Sequence, residues 1–104
     1  MPSNTLTAAL IGETLRNVID PELGVNIVDL GLIHDLRIDD DKVTVVMTLT
    51  TPGCPLAGFI EDEIDSWLAE LPQIRRAVVQ LVWDPPWSPA AMTEQARDVL
   101  GWKL

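Results

Sequence analysis

Two runs of alternating side chains, joined by a short acidic turn, constrain the fold of this chain more than any other feature. One face of the first run holds Leu32, His34, Leu36 and Ile38, and one face of the second holds Val43, Val45, Met47 and Leu49. Successive side chains of a strand point to opposite faces, so each run is typical of a strand with one buried face. The polar turn at residues 39–42 is short, which predicts an antiparallel hairpin.

Three other segments have apolar residues at helical spacing, namely residues 5–19, 55–71 and 89–100. The apolar stripe of the second segment is Leu56, Ile60, Ile64, Trp67, Leu68 and Leu71. Residues that commonly begin or end helices bound these segments: Pro21, Pro72, Ser88 and Gly101. The pattern therefore predicts three helices, the last with Ser88 as its N-cap and Gly101 as its C-cap.

A third strand is predicted over residues 77–83, with Ala77, Val79, Leu81 and Trp83 on one face. The order of elements is therefore α-β-β-α-β-α. This order predicts a single two-layer α+β domain over residues 1–104, in which helices cover the apolar face of a three-stranded sheet. The helix between the second and third strands allows these two strands to run parallel, which would make the sheet mixed.

Charge and composition disfavour several classes of function. The net charge is −9, from 16 acidic and 7 basic residues, which disfavours binding to nucleic acid or to an anionic membrane surface. No apolar stretch approaches the ~20 residues of a membrane span, and residues 1–5 do not resemble a secretion signal. A single cysteine excludes an internal disulfide framework. We therefore expect a cytoplasmic protein.

Cys54 lies between a predicted strand and a predicted helix, where Pro55 suits the first helical position and Cys54 the N-cap. A helix N-terminus has unpaired N–H groups and a partial positive charge, which lower the pKa of a thiol. A thiolate favours soft metals, so Cys54 is a candidate metal ligand, held by the turn Thr51-Pro52-Gly53. A small buried hydrophobic residue is the alternative interpretation of Cys54.

An acidic loop precedes the first strand and contains Asp20, Glu22 and Asp29. The pattern favours a turn in which Asp and Asn side chains stabilise the local backbone. The alternative is that one of these carboxylates folds back towards Cys54 and completes a site. With one cysteine and one histidine, the monomer cannot enclose an iron–sulfur cluster, although a dimer would supply two thiolates.

His34 and the segment Trp83-Asp84-Pro85-Pro86-Trp87 each allow two interpretations. A Cys–His pair can form a nucleophile and a base, but the expected core face of the first strand favours a structural role for His34. The tryptophan segment is either a partner-binding loop formed by Trp83, Asp84 and Trp87, or core packing by Trp83 with Trp87 covering a loop.

Several segments of the chain, in this order, resemble the metal–sulfur cluster biosynthetic family, which includes SufT-like and PaaD-like iron–sulfur cluster assembly domains. The segments are residues 20–22, 26–33, 48–55, 82–88, 96–97 and 100–101. The resemblance implies an α+β fold of the iron–sulfur assembly type and an accessory role in maturing iron–sulfur proteins rather than catalysis. It matches the family's characteristic cysteine to Cys54 and its acidic loop to Asp20, Glu22 and Asp29.

The same resemblance implies a function and partners. We expect a factor that assists cluster assembly or transfer, with no stably bound cofactor and with an iron–sulfur cluster or iron held transiently by Cys54. Its partners would be other assembly proteins and client apoproteins. Apart from the resemblance, a homodimer is a candidate assembly, because it would bring two thiolates together. PaaD-type members typically carry a cysteine-rich C-terminal extension, whereas this sequence stops at Leu104, which favours the SufT-like type. Family members often have tyrosine near position 34, where this chain has His34.

Two other functions remain compatible with the residues. One is a cysteine-dependent enzyme in which Cys54 is the nucleophile and His34 or a loop carboxylate is the base. The other is a non-catalytic subunit or adaptor of a multicomponent enzyme, as in PaaD-like proteins.

Overall fold

The computed structural model describes residues 7–50 and 57–101 and contains the predicted order of elements. The elements are α1 (Ala8–Leu15), β1 (Ile33–Asp39), β2 (Lys42–Met47), α2 (Ala57–Leu68), β3 (Arg76–Leu81) and α3 (Glu94–Leu100). A short 3₁₀ helix, Pro89–Ala91, precedes α3. The order α-β-β-α-β-α is therefore confirmed.

The three strands form one sheet with β2 in the centre. β1 pairs with β2 in antiparallel orientation, and the turn joins the facing residues Asp39 and Lys42. β2 pairs with β3 in parallel orientation, from Lys42 beside Arg76 to Met47 beside Leu81. The hairpin and the mixed sheet are both confirmed.

The core lies between the sheet and the first two helices. Alternate residues of β2 are fully buried and share one cluster with the apolar stripes of α1 and α2. The fully buried members of these elements are Ile11, Leu15, Val43, Val45, Met47, Ile60, Ile64 and Leu68. Burying one such side chain contributes about 1.5–3 kcal/mol, so this cluster is the principal reason that the elements stay together.

All three helices are shorter than predicted, and α2 ends at Leu68 although the predicted helix extended to residue 71. α1 ends at Leu15, because the backbone after it turns to form an isolated bridge between Ile19 and Asn26, which leaves Ile19 44% exposed. α3 begins at Glu94, because Met92 is extended and Thr93 caps the helix by accepting a hydrogen bond from Ala96 N. Ser88 is the N-cap of the 3₁₀ helix, with Pro89 as its first residue, so the predicted cap is confirmed. The prediction of one continuous helix over residues 89–100 is wrong. Gly101 is the predicted C-cap and is left-handed, with φ +71°.

Several side chains predicted on apolar faces are exposed, among them His34, Trp67 and Ile38, which is 37% exposed. His34 lies at a register shift in β1: Ile33 faces Met47, but Asp35 already faces Val46. An extra residue in one strand changes which face later side chains occupy, so the prediction of His34 on the core face is wrong. Trp67 belongs to the predicted stripe of α2, yet it is 36% exposed while its neighbour Leu68 is fully buried.

Candidate functional site

One end of the sheet brings together the segments that carry the sequence motifs. Because β1 is antiparallel to β2 and β3 is parallel to it, β1 begins, β2 ends and β3 ends beside one another, at Ile33, Met47 and Leu81. The acidic loop, the segment leading to Cys54 and the tryptophan segment therefore leave the sheet at the same place. We call this region, formed by residues 20–32, 48–50 and 82–87, the motif end of the sheet.

Hydrogen bonds connect the three segments of the motif end. Thr48 N donates to Leu32 O at 2.9 Å, and Val82 N donates to Met47 O at 2.8 Å. The indole Nε1 of Trp87 donates to Leu30 O at 2.6 Å, across 57 residues of sequence. The acidic loop is thus held to both of the other segments.

Cys54 itself lies outside the described residues, as do Thr51, Pro52 and Gly53. The described chain reaches Thr50 at the motif end and continues at Ala57, the first residue of α2. The roles predicted for Cys54 and its turn therefore stay predictions.

Asp20 stabilises the turn in which it lies. It is 3% exposed, and its Oδ1 accepts hydrogen bonds from Glu22 N at 2.8 Å and Leu23 N at 3.1 Å. Gly24 N also donates to Asp20 O, which closes the turn. The favoured interpretation, in which an aspartate stabilises the local backbone, is confirmed for Asp20. Glu22, by contrast, has an exposed side chain.

Asp20→Ala is expected to lower the free energy of unfolding by about 1–3 kcal/mol, because two backbone N–H groups lose their acceptor. Asp20→Asn keeps an acceptor oxygen in the same place and is expected to lose less than about 1 kcal/mol. Urea unfolding of the two variants beside the parent protein measures the difference. Equal losses would show that the charge of Asp20, and not its hydrogen bonds, stabilises the turn.

Asp29 joins the acidic loop to two helices. It is 7% exposed, and its carboxylate accepts hydrogen bonds from Arg16 Nη1 and Asn26 Nδ2, both at 2.9 Å. Its backbone oxygen accepts from Thr93 N, the N-cap residue of α3, at 2.8 Å. A second hydrogen bond joins the same two residues, since Asp29 N donates to Asn26 Oδ1. The sequence carries no signal for Arg16, because no motif surrounds it.

Gly31 allows the acidic loop to lie against the C-terminal part of the chain. Its φ is +76°, and a Cβ atom at this position would overlap the backbone carbonyl of Ala91, whose carbon would be 2.6 Å away. Only glycine satisfies both the backbone conformation and the close approach. The motif end therefore depends on this residue, which sequence reasoning treated only as part of a motif.

The two tryptophans of the tryptophan segment have different environments. Trp87 is half-buried and packs against the core, as predicted for a residue that covers a loop. Trp83 lies beyond the end of β3 and is 43% exposed, so the alternative in which it packs in the core is wrong. Asp84 is also exposed, and its peptide bond to Pro85 is cis. Trp83 and Asp84 thus present an exposed surface within the motif end.

Residues 7–50 and 57–101 contain no cluster of three or more His, Cys, Asp or Glu side chains able to hold a metal ion. Within the same ranges, no helix is long and apolar enough to cross a membrane.

The combination of a two-layer α+β fold with these motifs at one end of a mixed sheet is typical of iron–sulfur cluster assembly domains. Residues 9–81 match the family described as iron–sulfur cluster assembly protein, and the chain belongs to this family. The fold class and the resemblance predicted from the motifs are both confirmed.

Curated relatives and a solved structure agree with this family. The chain is 49% identical to the Fe-S protein maturation auxiliary factor YitW of Bacillus subtilis, over 84% of this chain and 86% of the relative. It is 48% identical to the Fe-S protein maturation auxiliary factor SufT of Staphylococcus aureus, over 81% and 97%. A domain of unknown function from Bacillus anthracis superimposes with a TM-score of 0.86 at 39% identity, covering 91% of this chain and 92% of that one.

Proposed function

We propose that this protein is an accessory factor in the maturation of iron–sulfur proteins, assisting cluster assembly or the transfer of clusters to client apoproteins. The observation that carries the proposal is the likeness to YitW, which extends over 84% of this chain and includes each segment of the motif end. The names of the curated relatives describe auxiliary factors, which supports a role other than catalysis. The site of action would be the cytoplasm.

In this proposal Cys54 binds the iron or the cluster, which is cargo and not a resident cofactor. Cys54 follows Thr50 by four residues in the sequence, and Thr50 leaves the sheet at the motif end. Iron–sulfur clusters commonly need four protein ligands, whereas this chain has one cysteine. The remaining ligands would come from a second copy of the chain or from a partner protein, so the cargo would be held weakly and released easily.

The acidic loop would hold this site in shape rather than bind the cargo. The carboxylate of Asp20 accepts two backbone N–H groups, and that of Asp29 accepts from Arg16 and Asn26. These interactions fix the loop beside the segment that leads to Cys54. The exposed Trp83 and Asp84 would then offer a recognition surface for an assembly scaffold or a client.

The test replaces YitW by this chain in Bacillus subtilis cells grown with limiting iron. The expected result is that the activities of cellular iron–sulfur enzymes return towards those of the parent strain. An empty vector is the negative control, and YitW expressed from the same vector is the positive control. Activities no higher than with the empty vector, in cells that accumulate the folded chain, would contradict the proposal.

A second experiment separates cluster binding from the accessory role. The purified protein is incubated without oxygen with ferrous iron and sulfide, and its absorbance, iron content and mass are measured. A labile chromophore on a dimeric species would support a cluster shared between two copies. No iron uptake by a chain that still replaces YitW would instead support an adaptor that binds partners but not the cluster.

A further inference from the structure

The outer face of α2 exposes two aromatic side chains. Phe59 in the first turn is 48% exposed and Trp67 in the last turn is 36% exposed, although Ile60, Ile64 and Leu68 of the same helix are buried. Their separation of eight residues is close to two helical turns, so the two rings lie on the same side of the helix. Exposed aromatic side chains on a helix are frequent in recognition surfaces.

Trp67 lies in a groove whose other walls are polar. The groove has a volume of about 400 Å³ and is lined by Glu63, Ser66, Trp67 and Glu70. Glu63 precedes Trp67 by four residues and is its neighbour on the helix surface. Glu70 lies in the turn after α2, where its N–H donates to Trp67 O, and both glutamates line the groove. We call this feature the Trp67 groove.

The electrostatic setting of the Trp67 groove favours a cation. The carboxylates of the outer face are Glu61, Asp62, Glu63, Asp65 and Glu70, and α2 has no basic residue in its last turn. None of these five carboxylates forms an ion pair within the part of the chain that the structure describes. The C-terminus of a helix carries a partial negative charge, which repels nearby carboxylates, and the carboxylates also repel one another. A bound cation would reduce both repulsions.

We propose that the Trp67 groove binds the guanidinium group of an arginine in a partner protein, stacked on the indole and paired with Glu63 and Glu70. A guanidinium is planar, stacks on aromatic rings and donates hydrogen bonds in several directions at once, whereas an ammonium is more strongly hydrated. An apolar partner would leave the two carboxylates dehydrated and unpaired, which costs free energy. The partner is thus a segment with an arginine, and Phe59, about 12 Å further along the helix, offers contact to an apolar neighbour of that arginine.

This inference does not rest on Cys54 or on cluster transfer, because the Trp67 groove is formed by α2 and the turn that follows it. It can therefore be tested on the purified protein without iron. The probe is N-acetyl-arginine amide, and its matched control is N-acetyl-citrulline amide, which has nearly the same shape and no charge. The readout is the indole N–H resonance of Trp67 in an NMR titration.

The arginine probe is expected to shift the Trp67 resonance saturably. Half-saturation with the citrulline probe is expected to require a concentration at least about fivefold higher. The double variant Glu63→Gln and Glu70→Gln is expected to weaken arginine binding by a similar factor. The matched control is Glu61→Gln with Asp62→Asn, which removes two charges from the same helix outside the groove. This control is expected to bind the arginine probe within about twofold of the parent protein.

Three outcomes would overturn the proposal. Equal weakening by the two double variants would mean that the probe responds to the net charge of the helix and not to the groove. Equal binding of arginine and citrulline would mean that the carboxylates take no part. The third concerns the Trp67→Leu variant. If the arginine probe shifted its Ser66 amide resonance as much as in the parent protein, the indole would not be the surface on which the guanidinium stacks.

Discussion

The Gly31→Ala variant is expected to lose about 2–5 kcal/mol of folding free energy, a large share of the roughly 5–15 kcal/mol that stabilises a domain. The left-handed conformation of Gly31 accounts for about 1–2 kcal/mol, because a Cβ atom approaches its own carbonyl there. The remainder, about 1–3 kcal/mol, comes from overlap of the new methyl group with the backbone of Ala91. The backbone carbonyl of Ala91 cannot rotate away from the new methyl group, as the end of a flexible side chain could.

Gly24→Ala is the matched control for this experiment. Gly24 has nearly the same backbone conformation, with φ +71°, but no atom lies within 4 Å of a Cβ built on it. The control is expected to lose only the conformational part, about 1–2 kcal/mol. Urea unfolding measures both losses. If Gly24→Ala were as damaging as Gly31→Ala, overlap with the backbone of Ala91 would add nothing to the cost of the Gly31 substitution.

The Cys54→Ser variant is expected to lose the ability to replace YitW under iron limitation while folding normally. Serine has nearly the shape of cysteine, but its hydroxyl stays protonated at neutral pH and is a poor ligand for iron in a sulfur-rich site. Iron–sulfur enzyme activities should therefore fall to those seen with the empty vector. The free energy of unfolding should change by less than about 1 kcal/mol, because one atom of similar size is exchanged.

Thr51→Ser is the matched control for Cys54→Ser. It also introduces a serine into the segment, but it keeps the thiol, so activity should be retained. Full activity of Cys54→Ser would remove Cys54 from the mechanism and leave the accessory role intact. Loss of activity in both variants would instead point to the conformation of the segment rather than to the thiol.

Local patterns in the sequence were sufficient for the order of elements and for most of the core. The alternation around Val43, Val45 and Met47 predicted the central strand, because a strand with one buried face needs an apolar residue at every second position. The helical spacing of Ile60, Ile64 and Leu68 likewise predicted the buried stripe of α2. Turn chemistry was equally local, since Asp20 accepts from N–H groups two and three residues away.

Sequence patterns failed where contacts between distant segments override the local period. His34 is exposed because of a register shift that depends on how β1 meets β2. Trp67 lies in α2 and Trp83 lies just after β3, and both follow the apolar period of their element. Periodicity does not show whether another element packs over these positions, and both side chains are exposed. The start of α3 at Glu94 depends on the buried Met92, which interrupts an otherwise continuous helical pattern.

The arrangement of the candidate site depends on tertiary structure for the same reason. The motifs are up to several tens of residues apart, and only the pairing of an antiparallel and a parallel strand with β2 brings them to one end of the sheet. The ion pair between Arg16 and Asp29 spans 13 residues, and the hydrogen bond from Trp87 to Leu30 spans 57. Local propensities predict elements because their interactions are short in sequence, whereas a site assembled by strand pairing is defined by contacts between segments that the sequence keeps apart.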